Sequence, residues 1–119
     1  MRILFLGDVV GITGCLKIQN NLLDQIKKKK IDFVIVNAEN AAEEGVGLTK
    51  EICEDFFKSG VNVITTGNHV WDQKDIMNFI DKENRLLRPK NLFEPAPGCL
   101  LYTSPSPRDA TLSRMPSSA

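Results

Sequence analysis

Met1-Arg2-Ile3-Leu4-Phe5-Leu6-Gly7-Asp8 opens the chain, and the middle of this stretch decides the fold class. Ile3 to Leu6 is a short, unbroken apolar run. That pattern belongs to a strand covered on both faces rather than one alternating between core and solvent. It is too short for the apolar centre of a signal peptide, and an acid follows at once. Moving outward, the same kind of unit recurs. Leu16, Leu22, Leu23 and Ile26 fall at mostly helical spacings and predict a helix over roughly residues 14–30. Lys27 to Lys30 close it, where cations suit the negative end of the helix dipole. Phe33-Val34-Ile35-Val36 predicts a second strand, and a polar, glycine-containing loop runs from Asn37 to Gly47. Thr49 is a suitable N-cap for a helix reaching Lys58, with Ile52, Phe56 and Phe57 inward and Ser59-Gly60 ending it. Val61-Asn62-Val63-Ile64-Thr65 predicts a third strand. Asp72 is placed to cap another helix, with Ile76, Phe79 and Ile80 facing the core. Arg85 to Pro97, with prolines at 89, 95 and 97, reads as irregular. Strands alternating with helices imply an α/β fold, a βαβαβα series whose parallel strands are joined by right-handed crossovers.

The totals exclude several classes. At 119 residues there is room for one small domain. A hydrophobic fraction of 42%, a charged fraction of 25% and a net charge of zero are ordinary for a soluble globular protein. They give no general case for duplex DNA or a membrane surface. No apolar run approaches the ~20 residues of a membrane span. Cys15, Cys53 and Cys99 are odd in number and lack CxxC spacing, which predicts reduced thiols in a cytoplasmic protein. His69 is the single histidine. Metal sites built on several imidazoles therefore need residues from elsewhere.

Three polar clusters each follow a predicted strand: Gly7-Asp8, Asn37-Ala38-Glu39-Asn40 and Gly67-Asn68-His69. In a parallel sheet the C-terminal strand ends share one edge, where ligands bind. Asp8, Glu39, Asn40, Asn68 and His69 are thus expected to converge. Each has an ordinary reading alone, as a cap, a turn residue or a structural histidine; three coincident strand ends favour a site. Two carboxylates with amide oxygens make a hard, oxygen-rich nest for Mn²⁺, Fe²⁺ or Mg²⁺. A carboxylate can bridge two ions about 3.5–4 Å apart, which activate a shared water and offset charge on a phosphoryl group. A nearby histidine can protonate the leaving oxygen. Gly7, Gly11 and Gly14 follow a strand, but their GxxxGxxG spacing departs from the GxGxxG dinucleotide pattern. Trp71 beside the site is open to a substrate-lining or a packing role.

These residues resemble the YmdB-like metallophosphoesterases. The likeness rests on Met1 to Gly11, on Asn37-Ala38-Glu39-Asn40-Ala41-Ala42, on Thr66-Gly67-Asn68-His69-Val70-Trp71-Asp72, and on Arg85 to Pro89 with Pro97-Gly98. It covers about residues 1–98. The resemblance implies a calcineurin-like four-layer α/β/β/α sandwich with two divalent metal ions, iron or manganese. It implies phosphodiesterase activity, with 2′,3′-cyclic nucleotides as substrate class. Carried over, Asp8 and Asn40 would bind one metal, Glu39 would bridge both, Asn68 would bind the second, and His69 would donate the proton. The wider superfamily usually carries Asp-x-His at its first motif; Val10 stands at that histidine position, and Asn40 would replace the ligand. Family members also take three further histidine ligands from a C-terminal half that is not in this stretch. The polypeptide as given is therefore expected to be an incomplete site with little activity, prone to aggregate through its uncovered sheet. Self-association of the complete protein is left open.

Composition shifts after Gly98. Residues 99–119 are rich in Ser, Pro and Arg without helical or strand period. They read as a disordered tail, and more sharply as translated sequencing adapter. Cys99 to Asp109 and Ser113 to Ala119 match two constant adapter blocks flanking a variable index at Ala110 to Leu112. Two non-enzymatic readings of residues 1–98 stand beside the enzyme: a nucleotide- or phosphate-binding module, and a regulatory scaffold.

Overall fold

Four short apolar runs pair in chain order into one parallel sheet. The computed structural model describes residues 1–89 and 97–98. The sheet is built from β1 (Ile3–Leu6), β2 (Phe33–Asn37), β3 (Val63–Thr65) and β4 (Leu86–Leu87), in spatial order β1-β2-β3-β4. Between them lie α1 (Gly11–Lys29), α2 (Lys50–Lys58) and α3 (Ile76–Phe79), the last running into a 3₁₀ turn at Ile80–Lys82. The α/β class and the parallel pairing agree with the sequence reading. The calls on residues 90–96 and 99–119, the tail among them, lie outside the described residues.

Because strand order follows chain order, each crossover steps the same way. Right-handed crossovers of that kind put every helix on one face. The register bears this out. Val34, Val36, Ile64 and Leu86 share a face and are fully buried. On the opposite face Ile3 is 58% and Phe5 59% exposed, so β1 is not covered on both sides as its apolar run predicts. An unbroken apolar run says both faces are apolar; it does not say that both are already covered.

Helix α1 begins at Gly11, a turn earlier than predicted. Its buried stripe is Cys15, Ile18 and Leu22, continued by half-buried Ile26, whereas Leu16 and Leu23 are exposed. The lysines do close it, and Lys30 takes a left-handed conformation at the C-cap. Thr49 caps α2 as expected, its Oγ1 accepting from the Ile52 N–H at 3.3 Å. Phe56 and Cys53 are the fully buried side chains of that helix, with Ile52 and Phe57 packed against the core. β3 is shorter than predicted because Val61 is held in the turn by its N–H donating to the Phe56 carbonyl.

Two expectations fail in the last third. Asp72 caps no helix; α3 starts four residues later, preceded by Asp75. And Leu86–Leu87, inside the segment read as irregular, is a fourth parallel strand. Among the described residues no helix is long and apolar enough to cross a membrane.

Candidate active site

The loops after β1 and β2 are laced together as an extension of the sheet. The Val9 N–H donates to the Asn37 carbonyl at 3.1 Å, and the Gly11 N–H to the Asn40 carbonyl at 3.0 Å. The Cys15 thiol, on α1, donates to the Ala41 carbonyl at 3.3 Å. These bonds hold Asp8 and Asn40 side by side, and the Asn40 Nδ2 donates to the Asp8 Oδ1 at 2.8 Å. Asp8 adopts φ 44°, a left-handed backbone that costs a non-glycine residue about 1–3 kcal/mol and is concentrated at functional sites.

Glu39 is fixed from two directions. Its carbonyl accepts from the Gly47 N–H at 2.5 Å, which folds the 39–47 loop back on itself. Its Oε2 accepts from the His69 N–H at 3.2 Å. Gly67 lies against the carboxylate so closely that a β-carbon there would overlap it. The His69 Nδ1 lies 2.7 Å from the Asp72 Oδ2, which is the contact Asp72 makes in place of a helix cap. Gly47, at φ 85°, allows the Asp72-Gln73 turn to seat on the loop, and the Gln73 Nε2 donates to the Val46 carbonyl at 3.1 Å.

Asp8, Glu39, Asn40, Asn68 and His69 all line one open cleft of about 440 Å³, with Phe5, Gly7 and Asn37. The structure thus brings together all five residues singled out from sequence. Trp71 is not among those lining residues and packs partly buried against the core. Asn37 is one that sequence reading missed; it was counted only as the start of a loop.

Two buried amide oxygens of the cleft, Asn37 Oδ1 and Asn40 Oδ1, have no hydrogen-bond partner. A buried acceptor left unmade costs about 1–3 kcal/mol. With Nδ2 committed to Asp8, the Asn40 oxygen is available to a cation, and the Asp8 and Glu39 carboxylates supply the charge such an ion needs. Among the described residues no three His, Cys, Asp or Glu side chains group closely enough to hold a metal. The amide oxygens are therefore essential to the donor set, and this oxygen-rich set fits a hard divalent ion.

A model of the YmdB-like protein family matches residues 4–112. The chain belongs to the YmdB-like family. A YmdB-like relative from Bacillus subtilis, a 2′,3′-cyclic-nucleotide 2′-phosphodiesterase, is 47% identical over 98 residues, 82% of this chain and 37% of the relative. A solved structure of a Thermus thermophilus protein of undescribed function superposes with TM-score 0.80 at 32% identity, covering 90% of this chain and 41% of that one. A phosphatase structure from Mycoplasma pneumoniae superposes with TM-score 0.75 at 39% identity, covering 86% and 38%. The chain thus spans little more than a third of the curated YmdB-like relative's length. The family is one of phosphoesterases, and its calcineurin-like α/β architecture is the one observed here.

Proposed function

We propose that residues 1–98 are the N-terminal part of a metal-dependent phosphodiesterase and that the 440 Å³ cleft is its share of the active site. The observation that carries this reading is the partnerless, buried Asn40 Oδ1 beside the Asp8 carboxylate, at the end of the sheet where parallel α/β folds bind ligands. Asp8 and Asn40 would hold one divalent ion, Glu39 would bridge to a second, and Asn68 would hold that second ion. Iron or manganese is the expected metal. Bound there, the pair would supply a nucleophile at neutral pH and offset phosphoryl charge.

The chain's own residues do the rest. Gly67 and the His69 N–H keep the Glu39 carboxylate in place. His69 protonates the leaving oxygen. The relative's printed activity supports 2′,3′-cyclic nucleotides as the substrate class. Further ligands would come from outside this stretch, as the 37% coverage of that relative allows. The 119-residue polypeptide alone is then expected to hydrolyse poorly, and residues 99–119 are proposed to take no part. Buried, free Cys15 and Cys53 are in keeping with a reducing, cytoplasmic setting.

The test is Glu39→Gln in the complete protein, assayed on a 2′,3′-cyclic nucleotide with added manganese. Hydrolysis should fall by orders of magnitude, with manganese binding weakened in parallel. Unchanged hydrolysis would remove Glu39 as the bridge. Retention of nucleotide by the metal-stripped protein, without turnover, would instead mark a binding module; neither property would mark a scaffold.

A further inference from the structure

We infer that Asp72 is a positioning residue for His69, holding the ring in the tautomer and orientation that proton donation requires; this rests on the phosphodiesterase reading above. His69 and Asp72 close one turn twice. The Asp72 N–H donates to the His69 carbonyl at 3.1 Å, and the side chains meet at 2.7 Å between Nδ1 and Oδ2. A carboxylate only accepts hydrogen bonds at neutral pH, so Nδ1 must carry the hydrogen. The nitrogen left for chemistry is then Nε2.

The turn itself is anchored to the bridging carboxylate. The His69 N–H donates to the Glu39 Oε2. Gly47 passes under the Asp72-Gln73 turn, 3.2 Å from the Asp72 β-carbon to where its own would stand. Gln73 pins the same loop through the Val46 carbonyl. Asp72 therefore sets the angle of the His69 ring within a frame that already fixes Glu39.

In the step this serves, the phosphorus–oxygen bond to the leaving group breaks and its electron pair stays on the departing oxygen. That oxygen takes the Nε2 proton and leaves as an alcohol. The attacking water supplies the new phosphorus–oxygen bond, and its released proton restores the histidine. Asp72 neither gains nor loses a proton. It touches no reacting atom.

Two measurements test the pairing. His69 is the only histidine in the 119-residue chain, so its ring nitrogens are read without overlap by ¹⁵N-resolved NMR at about pH 8, where a free imidazole is neutral. The wild-type ring should carry its hydrogen on Nδ1, and Asp72→Asn should move it to Nε2, the form favoured in water. A wild-type ring protonated on Nε2 would overturn the proposal. In the complete protein, Asp72→Asn is then compared on a phosphodiester with an alkyl leaving group and on one with a nitrophenyl leaving group. The alkyl ester needs protonation and should lose about 100-fold more activity than the nitrophenyl ester, with Asp72→Glu recovering part of it. Equal losses on both would show a merely structural turn and sink the proposal. A complete protein inactive on both esters before mutation would overturn the hydrolytic reading itself, whatever the tautomer.

Discussion

The Glu39 carboxylate rests directly on Gly67, with no room for a β-carbon between them. The two residues close β2 and β3 respectively, and the Ala38 N–H ties the same strand ends by donating to the Thr65 carbonyl at 3.0 Å. Gly67→Ala therefore has to displace the carboxylate or the backbone. In the complete protein it should cost about 100-fold in turnover, the loss that an ångström-scale misplacement brings. Its thermal midpoint should change little by comparison. A fully active Gly67→Ala protein would show that Glu39 is free to move.

Asn40 offers a sharper probe of the donor set, because its two amide atoms have different duties. Nδ2 holds Asp8, and Oδ1 is the partnerless acceptor. Asn40→Ala should weaken manganese binding by at least about 10-fold in calorimetric titration of the complete protein. Asn40→Asp restores the oxygen but loses the donor to Asp8, and should recover only part of the affinity. Unaltered affinity in the alanine variant would remove Asn40 from the site.

Gly47 is a stability prediction. At φ 85° it meets the Gln73 backbone nitrogen at 3.1 Å from where its β-carbon would lie. Gly47→Ala should destabilise the complete protein by about 1–3 kcal/mol, through strained backbone and crowding together. The urea midpoint measures it.

Acid sensitivity should appear at the opposite end of the sheet. The Arg85 side chain donates to Glu83, holding its carboxyl below the ordinary 4.5. Burial opposes this shift and is outweighed. A depressed folded pKa contributes stability that is present above the unfolded value and is lost as pH falls through the folded one. Glu83→Gln should therefore lower the urea midpoint at about pH 7, and the difference should close as the pH drops below the ordinary glutamate range. A pH-independent difference would assign the effect to packing, since Arg85 also lies 3.9 Å over the Phe57 ring.

Much of this was legible in the sequence, for identifiable reasons. Glu39 and Asn40 stand out because an apolar run stops abruptly on them. Thr49 is readable because a hydroxyl cap acts over three residues of local chain. What escaped depends on other kinds of information. Leu86–Leu87 is two residues between arginines, too short to show any period, and is a strand only because β3 offers it an edge. Leu16 looks like Leu22, yet the helix phase that buries Cys15 and Ile18 turns Leu16 outward. Asp72 resembles a cap, and its true partner three residues back lies in a turn without periodicity. Asn37 matters through an oxygen left unpaired, and no residue-level pattern records that.

Strand order that follows chain order also bears on how the molecule is made. β2 docks on a strand already synthesised, β3 on β2, and β4 on β3. No strand waits for a later one to be inserted beside it, so the sheet can grow by addition at one edge as the ribosome delivers it. Contacts between successive elements favour quick closure. The same geometry leaves the Ile3 and Phe5 side bare from the first strand onward. For a nascent chain, that side is the surface a chaperone has reason to shield until the remainder of the polypeptide emerges.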